Sequence, residues 1–164
     1  MPSEPEPRDA TATATAIATT AQDGAPVGSA LVDRVLAVAH LRAGGHVAVI
    51  GHHTLPFVLA LMRQGCAGVR SLRPDAPSPD REPADLAWIV DLATEDELDE
   101  ALRAARGRAG ATGRVVLEEA ACPAGVGAAS LHGHALAAGL DIVSFDHLAH
   151  RLVLAPAPRP TRAA

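Results

Sequence analysis

The stretch Gly45-His46-Val47-Ala48-Val49-Ile50-Gly51-His52-His53-Thr54-Leu55-Pro56-Phe57 constrains the fold of this chain more than any other segment. Val47 to Ile50 form a short, unbroken apolar run, which reads as a buried strand. Gly51 opens a tight turn. From Leu55 the apolar residues continue as a helix through Phe57, Val58, Leu59, Leu61 and Met62. A buried strand that passes directly into a helix is the repeating unit of layered α/β domains.

The alternation continues along the chain. Ser29 can cap a helix whose apolar face carries Leu31, Val32, Val35, Leu36 and Val38, ending near Gly44-Gly45. Strand 46–50 and helix 55–64 follow, and Gly65 is a stop signal. A short strand is predicted over 67–72. Its successor, 73–84, holds four prolines and reads as a loop. The apolar run 85–91 around Trp88 reads as a strand covered on both faces. Thr94 and Glu97 make a capping box for a helix reaching about Arg108, with Gly110 and Gly113 beyond it. Strand 114–118, a loop with Cys122, helix 129–138 and strands 140–145 and 151–155 complete the order. About five residues separate the last two strands, which predicts an antiparallel hairpin. The expected architecture is a three-layer α/β sandwich with a mostly parallel sheet of about six strands and right-handed crossovers. One domain is expected over 29–156. Residues 1–28, rich in Pro, Glu and an Ala-Thr repeat, read as a disordered tail, and 157–164 as a flexible one.

Composition narrows the function classes. All 14 basic residues are Arg, and without Lys there is neither a Walker-type phosphate loop nor Schiff-base chemistry. Net charge is -5 and no basic cluster stands out, which argues against nucleic acid. Aromatic residues are only 2%, so the core must be aliphatic. Cys66 and Cys122 lack CxxC spacing and read as reduced thiols of a cytoplasmic protein. No apolar run approaches the roughly 20 residues of a membrane span, and the N-terminus lacks the order of a signal peptide.

The C-terminal half carries a resemblance. Thr112-Gly113-Arg114-Val115-Val116-Leu117-Glu118, Ala138-Gly139-Leu140-Asp141-Ile142-Val143-Ser144-Phe145 and Arg151-Leu152-Val153-Leu154-Ala155 resemble three late strands of the class I S-adenosylmethionine-dependent methyltransferases. That family has a Rossmann-like sheet closed by an antiparallel hairpin, and the likeness spans about 29–156. It implies an acidic residue and then G-x-G-x-G after the first strand. Laid on this chain, Gly51 matches the first glycine, His53 falls at the second, Leu55 at the third, and Val49 at the acid. The acid that would grip the ribose at the end of the second strand is Arg73; Asp75 lies two residues on. The resemblance also implies a helix and a further strand before 85–91, where only the Pro-rich loop stands. The domain is therefore expected to be a shortened family member with a degenerate cofactor site: Gly51, His52, His53, Arg73 and Asp91.

In open α/β sheets, ligands bind beyond the carboxyl ends of the strands, at the topological switch point. That edge should gather His52, His53, Asp91 and Glu118 or Glu119. His53, Asp91 and Glu118 are a conceivable metal set, and histidine with carboxylate is equally an acid–base set. His147 and His150, three apart in a turn, could pair, whereas His132 and His134 face different sides of a helix. The simpler reading makes these histidines polar turn residues, Asp91 and Glu118 strand-end groups facing water, Trp88 core, Cys66 packed and Cys122 a loop residue open to exposure. The expected role is a binding, regulatory or accessory protein, engaging a protein partner or a second copy as a dimer, with no cofactor, no nucleic acid and no membrane. Two alternatives remain at this stage: a small methyltransferase holding S-adenosylmethionine through an atypical loop, and a metal-binding protein.

Overall fold

A computed structural model describes residues 27–75 and 82–158. The expected tails therefore lie almost wholly outside the described residues, as do residues 76–81 of the Pro-rich loop. Helices α1 (Ser29–Val38), α2 (Leu55–Arg63), α3 (Glu95–Arg108) and α4 (Ala128–Ala137) alternate with strands β1 (His46–Ile50), β2 (Gly68–Leu72), β3 (Leu86–Ile89), β4 (Arg114–Glu118), β5 (Leu140–Asp146) and β6 (Arg151–Pro156). A single 3-10 turn, Glu119–Ala121, follows β4. The sheet runs β2-β1-β3-β4-β6-β5. Its first four strands are parallel, and β6 is antiparallel to both neighbours. The expected α/β sandwich with a closing hairpin is thus present. Among the described residues no strand lies beyond β2, so the sheet is shortened on that side.

Two details differ from expectation. Ser29 is the first helical residue and does not cap; Gly28 holds that position and its carbonyl accepts the Leu31 N–H at 2.9 Å. Nor does α1 run on to Gly44. It stops at Val38 because His40 turns to a left-handed φ of 52°. The Leu41 N–H then reaches back to the Leu36 carbonyl at 2.9 Å, and the His40 N–H to Ala37 at 3.0 Å. These two bonds close a Schellman motif with histidine in the glycine position.

The strand registers divide the apolar side chains between two faces. Val47, Val49, Leu86, Trp88, Val116 and Val153 pack under α1 and α2, against Val32, Val35, Ala60 and Leu61. Phe57 meets the Trp88 ring edge-on, with centroids 5.0 Å apart. On the opposite face Ile50, Ala87, Ile89, Val115, Leu117 and Leu154 pack under α3 and α4, against Leu98, Leu102, Ala105 and Leu131. Helix α3 suits its dipole, with Glu95, Asp96 and Glu97 in its first turn and Arg106 and Arg108 in its last.

An ionic pair lies within this framework. Glu118 and Arg151 stand opposite each other in the β4–β6 register. Arg151 is only 2% exposed, and both its Nε (3.0 Å) and Nη2 (2.5 Å) donate to Glu118 Oε1. Its Nη1 has no partner among the described residues. Removing one member of such a pair strands the other charge in the interior. Glu118→Ala is therefore expected to cost about 3–5 kcal/mol in urea unfolding. Glu118→Leu combined with Arg151→Met should recover most of that loss. Equal losses for the single and double variants would show that the charges are not coupled.

Candidate functional site

The carboxyl end of β1 lies between β2 and β3, where the chain order of the sheet reverses. The strands meet there with almost no space. The Gly51 N–H donates to the Leu72 carbonyl at 3.0 Å, and the Val90 N–H to the Ile50 carbonyl at 2.9 Å. A Cβ on Gly51, whose φ is 154°, would stand 1.7 Å from the Val90 carbonyl oxygen. No side chain fits that position. Sheet packing by itself demands this glycine, whatever ligand the turn holds.

The two histidines then diverge. The His53 N–H donates to Asp91 Oδ2 at 3.2 Å, and His53 Nδ1 bonds the same carboxylate. The His52 N–H donates to the Asp91 carbonyl at 3.3 Å, while its Nε2 meets Glu97 Oε1 at 3.0 Å. Glu97 in turn accepts the Ala93 N–H at 2.8 Å, and its own N–H donates to Thr94 Oγ1 at 3.2 Å. Thr54, buried at the head of α2, shares a 2.5 Å hydroxyl bond with Ser71 of β2. The turn after β1 is thus tied to β2, to the segment after β3 and to the start of α3. Asp91 has a left-handed φ of 49°, a conformation uncommon outside glycine, Asn and Asp. This backbone aims its carboxylate back at His53.

The structure brings together Gly51, His52, His53 and Asp91, and adds Glu97, which the sequence marked only as a capping residue. His53 is 84% exposed, so it bridges the two segments without filling a pocket. Leu55, which falls at the third glycine position of the resemblance, is 66% exposed and stands in solvent. Arg73 and Asp75 are exposed just beyond β2. Nδ1 of His53 is held by Asp91, while most of the ring lies in solvent.

The conceivable metal set is divided. Glu118 is committed to Arg151, and Glu119 Oε2 meets His150 Nδ1 at 2.8 Å. Among the described residues no group of three or more His, Cys, Asp or Glu could hold a metal ion. His147 does not pair with His150; it lies edge-on to Phe145, with centroids 4.6 Å apart. His134 bonds Asp99 at 2.7 Å, and His132 is exposed. Glu118 does not simply face water, and Cys122 is not open. The Cys122 thiol is half-buried and donates to the Glu118 carbonyl at 3.6 Å. A cavity of about 220 Å³ runs alongside β2, lined by His46, Gly68, Leu72, Glu82, Ala84 and Arg108 among others. It reaches Leu72, whose carbonyl accepts the Gly51 N–H, but Gly51 itself does not line it.

Burial, with the charge of Glu119 adding to it, pushes the Cys122 thiol up to about 12. At pH 8 its thiolate fraction is about one in ten thousand, so labelling by a disulfide reagent should run at least ~100-fold slower than in the unfolded chain. Two carboxylates move the other way. Glu97 is held below its ordinary range by the Ala93 N–H and then by His52, and Asp146 by the N–H groups of Ala149 and Leu148. A carboxyl group that is more acidic when folded stabilises the fold above its unfolded pKa. That contribution is lost as pH falls through the folded value. Acid titration of the unfolding midpoint should thus show a loss below the usual carboxylate range, and Glu97→Gln should make that limb shallower. An unchanged limb would remove Glu97 from the account.

No protein-family model and no curated protein matches the chain. Solved structures do. A TehB-like S-adenosylmethionine-dependent methyltransferase from Corynebacterium glutamicum superposes with a TM-score of 0.56 at 17% identity, over 79% of this chain and 96% of that one. The CcbJ methyltransferase from Streptomyces caelestis gives 0.58 at 14%, over 80% and 93%. The glycopeptide N-methyltransferase MtfA, complexed with sinefungin, gives 0.59 at 10%, over 80% and 94%. Likeness at these identities is likeness of fold. The chain has a class I S-adenosylmethionine-dependent methyltransferase-like fold, shortened at the β2 edge.

Proposed function

We propose that this domain no longer binds S-adenosylmethionine in the ordinary way and acts by binding, as a regulatory or accessory protein. The observation that carries this reading is the His53–Asp91 bridge. It spans the switch point between the segments after β1 and β3, where an open sheet of this kind receives its ligand. Arg73 in the ribose-gripping position and the sheet's end at β2 point the same way. Gly51 would be the strongest sign of a retained cofactor loop, yet the approach of the Val90 carbonyl accounts for it without any cofactor.

Isothermal calorimetry of the full chain with S-adenosylmethionine and S-adenosylhomocysteine tests this reading. No saturable heat is expected up to about 1 mM ligand, which bounds binding at about -4 kcal/mol or weaker. Micromolar affinity would overturn the reading and favour a methyltransferase with an atypical loop. Substituting Gly51 cannot decide between the two, because a Cβ there disrupts the sheet itself. His53→Gly, which removes the imidazole bond to Asp91 at an exposed position and keeps the backbone one, leaves the sheet intact. It is expected to produce no binding at the same concentrations, since Arg73 and the shortened sheet remain.

A further inference from the structure

Helix α2 is apolar on two opposite sides. Its inner side packs Phe57, Ala60 and Leu61 on the sheet. Its outer side carries Leu55, Leu59 and Met62, which are 66%, 44% and 60% exposed. Their spacing of four and then three residues makes one continuous stripe along the helix. The other large exposed apolar residues among those described, Leu136, Val143 and Leu148, are scattered over α4, β5 and the last turn. A solvated helix face normally carries charge, and α2 has a single charged residue, Arg63 at its end.

We propose that this stripe is a self-association surface, on which α2 packs antiparallel against α2 of a second copy. A two-fold axis close to Leu59 sets Leu59 against its own counterpart and Leu55 against the other copy's Met62. The charges agree with this arrangement. The Arg63 side chain is exposed and makes no hydrogen bond or ion pair among the described residues. The opposite end of α2 follows directly on the turn held by the carboxylates of Asp91 and Glu97. Antiparallel pairing carries each Arg63 past the partner's Leu55 toward that acidic end. A parallel pairing would set the two Arg63 side chains together.

The chain's own N-terminal segment is a poorer occupant. Residues 1–26 lead into Val27, which packs beside α1 and α2, but apart from alanine and four prolines their only aliphatic side chains are Met1 and Ile17. That is too little apolar surface to cover three large side chains. The stripe is also small beside the roughly 1,200–2,000 Å² of a stable interface, which implies a weak, concentration-dependent dimer. This inference rests on the binding role proposed above. Its test reads mass and not ligand heat, so either can fail alone.

Sedimentation equilibrium of the full chain from about 5 μM to about 500 μM is expected to pass from monomer to mostly dimer. L59E should weaken the association at least about tenfold, with the far-ultraviolet circular dichroism unchanged. In a C66S/C122S background, L59C should form a disulfide-linked dimer on mild oxidation, and L148C should not. The cross-link decides the matter if L59E fails to fold. A monomer at every concentration overturns the proposal. In that case rapid alkylation of the L59C thiol assigns the stripe to a different protein, and protection from alkylation assigns it to residues 1–26. A dimer that L59E leaves intact, or that cross-links through L148C alone, overturns it as well.

Discussion

The contact between Gly51 and the Val90 carbonyl sets the geometry of everything around it. β1 and β3 run parallel and side by side, and at their carboxyl ends the chain must turn in two directions, toward α2 and toward α3. That divergence is possible only because one strand ends on a residue without a side chain. A Cβ at 1.7 Å from the Val90 carbonyl oxygen has no place to move, since both residues directly follow strands that are paired with each other. The turn that follows is therefore short. It brings the N–H groups of His52 and His53 directly over Asp91, with backbone and side chain of that residue both accepting.

The consequence for function lies in what this turn is tied to. In an open α/β sheet the cleft at the switch point stays free because small residues line it. Here two carboxylates, Asp91 and Glu97, and two imidazoles connect the sides. His53 remains on the surface while it bridges, so the change is a matter of connection more than of volume. Glu97 extends the same network to α3 by accepting the Ala93 N–H and meeting His52. The polar groups of this turn are engaged with one another. The apolar surface that could engage a partner lies on the outer side of α2.

Much of the fold is legible along the chain. The order of elements follows from period and punctuation: the apolar runs at 46–50 and 85–91, the Thr94–Glu97 cap, and the glycines after α2, α3 and α4. Each depends on neighbours in sequence, which is why they can be read there. The end of α1 was less readable, because His40 adopts the conformation expected of the glycines four and five residues later. The candidate site was half readable. The position of Gly51 and the departures at His53, Leu55 and Arg73 could be seen by counting from the first strand. The commitments of Glu118 to Arg151 and of Glu119 to His150 could not, because each joins residues more than 30 positions apart through the β4–β6 pairing.

By itself the sequence determined an aliphatic, three-layer α/β domain that resembles a shortened methyltransferase with an altered cofactor turn. It did so because hydrophobic period and turn residues act locally. Tertiary structure decided which carboxylate each histidine meets, that Glu118 balances a buried arginine instead of joining a metal set, and that Leu55 faces solvent. Those outcomes depend on strand order, register and the direction of each side chain. Such quantities exist only once distant segments have packed.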